Sequence, residues 1–366
     1  MIRSTSHTGI VPGRRTALGR LAVAVLLAPF VAAPAFAQSS AGALPELASY
    51  SGPDRMQKLI EGAKKEGTVT VYTSAPVDDM KILSEGFEKK YGVKVRLWRG
   101  SSENVLQRGV VETRGGRHEA DIFETNGPEM EALHREKLLQ AVKSPLQSEL
   151  MPQAIFPHGE WIGTRLNIFV GAFNTNQVKK EEVPNSYEGF LDPKWKGKLG
   201  IEAEDHDWFA ALMGVMGEEK GLKLFQDIVA KNGISVRKGH TLLTNLVASG
   251  EVSLALTVYS YKAEQLKNDG APIDWFAIPP AFARVNGVGV SRNAPHPHAA
   301  VLFYDFMLKD AQELLVSRDF TPTNTTIKAL PAGMELKFID PKVILDEGEK
   351  WSKLYNQIIV SRSQAK

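Results

Sequence analysis

The chain has 366 residues, with 44 Lys and Arg against 42 Asp and Glu, and no cysteine. Disulfides, thiol catalysis and thiolate metal sites are therefore excluded. The near balance of charge argues against nucleic acid or an anionic membrane surface as partner, since both require a basic face. A chain this long packs two α/β domains without covalent staples.

The chain opens on Arg3, Arg14, Arg15 and Arg20, an almost wholly apolar run from Leu21 to Ala33, and Ala35-Phe36-Ala37 before Gln38. These are the three parts of a cleavable secretory signal peptide, assigned to residues 1–37. The apolar run falls short of the ~20 residues a bilayer span needs, so a membrane anchor is the weaker reading. Arg14-Arg15 leaves the Sec and twin-arginine export routes both open, and each leads to the periplasm. Without those four arginines the 44 basic residues become 40 against 42 acidic ones, a net charge of −2.

Residues 38–53 are small and polar and are expected as a flexible arm. The first helix is expected over 54–65, where Met56, Leu59, Ile60 and Ala63 share a face, with a stop at Gly67. A β-branched strand over 68–73 follows, then a helix over 78–91, a strand over 93–98, a helix over 103–113, a strand over 120–123 and a helix over 128–137. This alternation predicts a parallel sheet covered by helices. Further along, 165–173 reads as a long apolar strand and 199–202 as a short one. Residues 207–216, 221–231 and 241–249 read as helices, 253–258 as a strand ending at Tyr259, and 299–308 as a helix. Residues 343–359 return to helical spacing through Leu345, Trp351, Leu354 and Ile358.

In such sheets ligands bind beyond the carboxyl ends of the strands. Thr73 and Ser74, then Arg99, Ser101 and Ser102, then Thr125 and Asn126 are therefore candidate ligand-binding residues. Ser101 or Ser102 is expected to cap the following helix, leaving its backbone N–H groups to hold an anion. The competing reading is an ordinary capping turn with Arg99 in water. Asn126 or Gly127 is expected near the next cap, with Pro128 in the first turn. Asp207 is expected as a helix cap, and Trp208 as a flat wall for the solute rather than as core. Thr241, beside His240, is read as the cap of a helix start that forms a second anion-facing surface opposite Arg99. His296 and His298 lie in a proline-flanked turn and are read as structural.

Five strings carry a family resemblance: Val69-Thr-Val-Tyr-Thr-Ser74, Ala120-Asp-Ile-Phe-Glu-Thr-Asn126, Tyr187-Glu-Gly-Phe-Leu-Asp-Pro-Lys-Trp-Lys-Gly-Lys198, Gly250-Glu-Val-Ser-Leu-Ala-Leu256, and Ala294-Pro-His-Pro-His-Ala-Ala-Val-Leu-Phe303. In that order they resemble the solute-binding proteins of ABC importers, in particular the iron(III)-type branch. The resemblance implies a two-lobed α/β fold of the type II periplasmic-binding-protein (venus-flytrap) kind, crossed twice by the chain. Lobe 1 is expected to take 54–157 plus 283–366, with the C-terminal helix on its outside, and lobe 2 to take 158–282.

Iron binders of that branch present two adjacent tyrosines, whereas this chain has Tyr259-Ser260-Tyr261; where they often place a histidine it has Ser74-Ala75-Pro76. Tyr259 and Tyr261 are thus metal ligands only if the cargo is ferric iron. An organic anion is the favoured solute, with both tyrosines hydrogen-bonding to it or stacking on it. No cofactor is expected. The implied partners are the small-molecule or metal solute and an ABC permease in the inner membrane, with a monomer expected. A secreted hydrolase finds no Gly-x-Ser-x-Gly, His-Glu-x-x-His or cysteine motif to support it, and a sensor input remains an alternative to transport.

Overall fold

The computed structural model describes residues 43–328, 330 and 334–361, so the signal-peptide assignment lies outside the described residues. Twelve strands share one sheet: β1 (Thr68–Thr73), β2 (Lys94–Arg99), β3 (Ile122–Asn126), β4 (Leu139–Gln140), β5 (Ile162–Asn174), β6 (Leu199–Glu202), β7 (Ser235–Arg237), β8 (Leu254–Tyr259), β9 (Ile273–Phe276), β10 (Ala281–Ser291), β11 (Thr321–Pro322) and β12 (Leu336–Phe338). The main path runs β2-β1-β3-β10-β5-β8-β6-β7. β1 pairs in parallel with β2 and β3, and β6 with β7 and β8. Between these two parallel blocks lie the long strands β5 and β10, antiparallel to each other and to their outer neighbours. Both are buried along their whole length, as strands covered on two faces require.

Local chemistry explains the elements. Helix Arg55–Glu66 buries Leu59 and Ala63 and ends where Gly67 turns left-handed at φ 73°, a conformation glycine adopts without penalty. Helix Val77–Tyr91 lays Phe87 against Phe303 and Phe306 of helix Pro297–Leu308, with ring centroids 5.1 and 5.4 Å away. Around the other block, Trp208, Phe209 and Phe225 form a second aromatic cluster.

Two expectations are corrected here. Part of the expected arm is helix Ala43–Ser49, because Leu44 and Ala48, one turn apart, are buried in the core. The C-terminal segment does not lie only on the β1–β3 side. Helix Pro341–Tyr355 and the π turn Asn356–Val360 pack against helix Gly127–Arg135, which follows β3, and against helices His206–Met216 and Glu218–Asn232. Its apolar face buries Ile344, Trp351 and Tyr355, the last two against Phe209.

Histidines and carboxylates fasten helix Pro297–Leu308. His298 Nδ1 lies 2.7 Å from Glu66 Oε1, and His296 Nδ1 lies 2.9 Å from Asp121 Oδ2. The bond to Asp121 raises the His296 imidazole above its ordinary range, while burial pushes the Asp121 carboxyl upward. A histidine raised on folding contributes stability that is whole below its unfolded value of about 6.5 and is lost as pH climbs through the raised one. The melting temperature of the wild type should therefore fall between roughly pH 6 and 9 by more than that of His296→Gln. Parallel curves from calorimetric scans of the two proteins would contradict this.

Candidate functional site

The parallel blocks and the two crossing strands enclose a cleft of about 830 Å³. Its floor follows from strand register. β5 carries Arg165 and Asn167, and β10 carries Arg284 and Asn286, each pair two residues apart and so on one face. The register sets Arg284 opposite Asn167 and Asn286 opposite Arg165, so four polar side chains meet within a largely apolar pair of strands. All four line the cleft.

Each floor arginine is partly neutralised. Arg165 Nη2 sits 2.9 Å from Glu124 Oε1, and Arg284 Nη1 sits 2.6 Å from Asp207 Oδ2. Asn126 Oδ1 accepts from Asn167 Nδ2 at 3.1 Å and from Asn286 Nδ2 at 3.2 Å. Arg165 Nη1, Arg284 Nε and Asn286 Oδ1 are buried with no partner among the described residues.

The wall on the β6 side is acidic. Glu202, at the end of β6, accepts from the N–H groups of Gly239 at 2.7 Å and Glu204 at 2.5 Å. Asp205 Oδ1 lies 3.0 Å from His240 Nε2, and the His240 ring stacks on Tyr259 at 3.6 Å. One donor atom from each of Glu202, Asp205 and His240 falls within 4.8 Å of the others. Asp205 Oδ2 and His240 Nδ1 are buried without partners among the described residues. Burial and then the Asp205 charge push the Glu202 carboxyl upward. Burial opposes a charge on His240, yet Asp205 and Glu202 outweigh it and hold the imidazole above its ordinary range. Across the cleft, burial raises the Glu129 carboxyl to about 7, and its Oε2 has no partner among the described residues.

Ser74, Arg99, Ser101, Ser102, Asn126, Asp207, His240, Thr241, Tyr259 and Tyr261 all line this cleft. Ser101 caps helix Ser102–Arg114 by accepting from Asn104 N at 3.2 Å, and Arg99 Nε reaches Ala75 O at 3.4 Å. Burial raises the Tyr261 phenol, whose ring lies on Phe320 at 4.0 Å.

Other residues stand elsewhere than expected. Thr73 and Thr125 are fully buried behind the lining: the Thr73 hydroxyl donates to the Glu124 carboxylate, and Thr125 Oγ1 to Ser74 Oγ at 3.1 Å. β3 continues to Asn126 rather than stopping at Phe123, so Thr125 is a strand residue facing away from its neighbour Asn126. Trp208 is not a wall of the cleft but core, 1 % exposed between Tyr187 and Phe225, where its large ring buries more apolar area than a cleft would allow. Asp207 is no cap, since helix His206–Met216 starts from Asp205, and its carboxylate pairs with Arg284 instead. Thr241 lies inside its helix, which starts from Gly239 at φ 104°. The Gly239 N–H serves Glu202, so the protein's own carboxylate stands at that helix start.

Sequence reasoning passed over Arg165, Asn167, Arg284, Asn286, Glu202 and Tyr355. The available signal was the i, i+2 repeat of polar residues in apolar strands, as in Arg165-Leu166-Asn167 and Arg284-Val285-Asn286.

Two parallel α/β blocks, joined by two crossing strands with polar groups from both blocks converging above them, define a solute receptor of the two-lobed type II periplasmic-binding-protein fold. Residues 66–314 match the family described as bacterial extracellular solute-binding protein, and the chain belongs to that family. Its members bind substrates, and the protein is the substrate-binding component of an ABC-type importer. The chain is 25% identical over 293 residues to iron uptake protein A1 of Synechocystis sp. (strain ATCC 27184 / PCC 6803 / Kazusa), covering 75% of this chain and 81% of that one. Among solved structures it resembles iron-bound HitA from Pseudomonas aeruginosa, with a TM-score of 0.70 at 22% identity, over 80% of this chain and 99% of that one. It equally resembles the periplasmic binding protein AfuA from Actinobacillus pleuropneumoniae with exogenous fructose-6-phosphate bound, with a TM-score of 0.71 at 22% identity, over 81% and 99%.

Proposed function

We propose that the protein is a monomeric periplasmic receptor that captures ferric iron in its cleft and passes it unchanged to an inner-membrane ABC permease. Lobe 1 takes residues 54–157 and 283–366, and lobe 2 takes 158–282. The observation that carries the cargo is the grouping of Glu202, Asp205 and His240, with Asp205 Oδ2 and His240 Nδ1 unused and buried. Hard oxygen and imidazole donors suit a small, highly charged cation. The same carboxylates repel an anion from the wall on which the second anion surface was expected. Tyr259, stacked on His240, brings a phenol beside the group. The iron-uptake relative supports the same cargo.

A second reading keeps the organic anion, because Arg165 and Arg284 line a cleft far larger than a bare ion, and Arg165 Nη1 and Arg284 Nε have no partner among the described residues. Thermal denaturation in the presence of ferric nitrilotriacetate, other metals and organic acids separates the readings. Ferric iron should raise the midpoint progressively with concentration, as a ligand of the folded state does. A midpoint moved by organic acids alone would overturn the metal reading.

A further inference from the structure

We propose that the C-terminal helix Pro341–Tyr355, with its turn Asn356–Val360, is a clasp across the cleft, and that Tyr355 is a positioning residue for the cargo-binding loop 202–205. The proposal rests on the reading of that loop as the cargo site.

The helix is held on both sides of the cleft. On the β1–β3 side, a Cβ at Gly127 would stand 3.4 Å from Pro341 Cβ, and Asp346 pairs with Arg135. On the β6 side, the rings of Trp351 and Tyr355 pack on Phe209 with centroids 6.5 and 5.4 Å away, and Lys350 Nζ meets Glu218 Oε2 at 2.7 Å. Along its length Ile344, Ser352, Tyr355 and Asn356 line the cleft. Any widening of the cleft must therefore strip the helix from one side.

The two attachments differ in strength. The aromatic end is buried, with Tyr355 1 % exposed, and aromatic pairs hold beyond their area alone. The other end relies on Pro341 against Gly127 and an ion pair whose side chains are 40% and 60% exposed, the kind worth little in water. The clasp therefore stays with the β6 side and lets go near Gly127. On the retained side the Tyr355 hydroxyl donates to the Glu202 backbone carbonyl, fixing from behind the segment whose carboxylate also takes the Glu204 and Gly239 N–H groups.

The chain has no cysteine, so Gly127→Cys with Pro341→Cys supplies a single thiol pair. The 3.4 Å separation is close to the ~3.5–4.5 Å between the Cβ atoms of a disulfide. A Cβ at Gly127 also approaches the Val285 carbonyl at 3.0 Å, so the reduced form of the same variant is the reference. After loading with ferric nitrilotriacetate, the oxidised form should release iron to excess EDTA at least about tenfold more slowly, with the rate restored by reductant. Equal rates in the two forms would refute the clasp.

Tyr355→Phe keeps the ring on Phe209 and removes only the hydroxyl. Ferric affinity should fall roughly three- to tenfold. In the cargo-free protein, hydrogen exchange at the Glu204 and Gly239 amides should quicken while the melting temperature barely moves. Unchanged exchange at both amides rejects the positioning role whatever the cargo. A wild type that takes up no ferric ion instead rejects the cargo assignment, and cargo-free exchange over 341–360, oxidised against reduced, still decides the clasp: slower exchange on oxidation supports it and equal exchange refutes it.

Discussion

Asp205→Asn is expected to weaken ferric binding on the order of a hundredfold or more while leaving the fold intact. Loss of an outer-shell partner alone typically costs tenfold to a hundredfold in metal affinity, and Asp205 is placed to touch the ion itself. The side chain is 1 % exposed, where water screens electrostatic interactions poorly. Its second role adds to the loss, because Asp205 Oδ1 lies 3.0 Å from His240 Nε2 and helps hold that ring, a second donor of the group, in place. Folding should be spared: Asn has the same shape, and Asp205 makes no side-chain capping bond at the start of helix His206–Met216. Equilibrium dialysis against ferric nitrilotriacetate measures the change. An affinity within a few fold of wild type would remove Asp205 from the site.

The largest effect on stability is expected at Asp305→Ala, about 3–5 kcal/mol. Arg55, at the start of helix Arg55–Glu66, and Asp305, on helix Pro297–Leu308, form an ion pair whose side chains are 6% and 1% exposed. Arg55 Nη2 also donates to Asp305 Oδ1 at 3.2 Å, while Arg55 Nε has no partner among the described residues. Removing the carboxylate strands a guanidinium in the core, and the cost is the desolvation of that charge rather than the worth of the pair. Replacing both partners, as Arg55→Met with Asp305→Leu, should recover most of the loss, since no charge is then left buried. Urea unfolding of the three proteins decides it, and a double variant as unstable as the single one would show that the charges themselves hold the helices together.

The fold was largely legible because hydrophobic period and turn chemistry agree along the chain. The strand expected over 199–202 is β6, and the helices expected over 78–91 and 241–249 begin one residue earlier in the structure. The site was legible only where a polar residue follows a strand, as at Ser74, Arg99 and Ser101. Arg165 and Arg284 were hidden because their strands are judged by apolar neighbours, and only the pairing of β5 with β10 brings them to one floor. Trp208 was misread because a helix start fixes which way each side chain points, and one residue separates Asp207 on the cleft from Trp208 in the core. Tyr355 had no local signal: its bond spans 153 positions to Glu202.

Diffraction at the iron absorption edge from crystals grown with ferric nitrilotriacetate tests the central claim most directly. The account predicts one anomalous peak within bonding distance of Glu202, Asp205 and His240. A peak away from all three, or none beside an organic anion on Arg165 and Arg284, would contradict it.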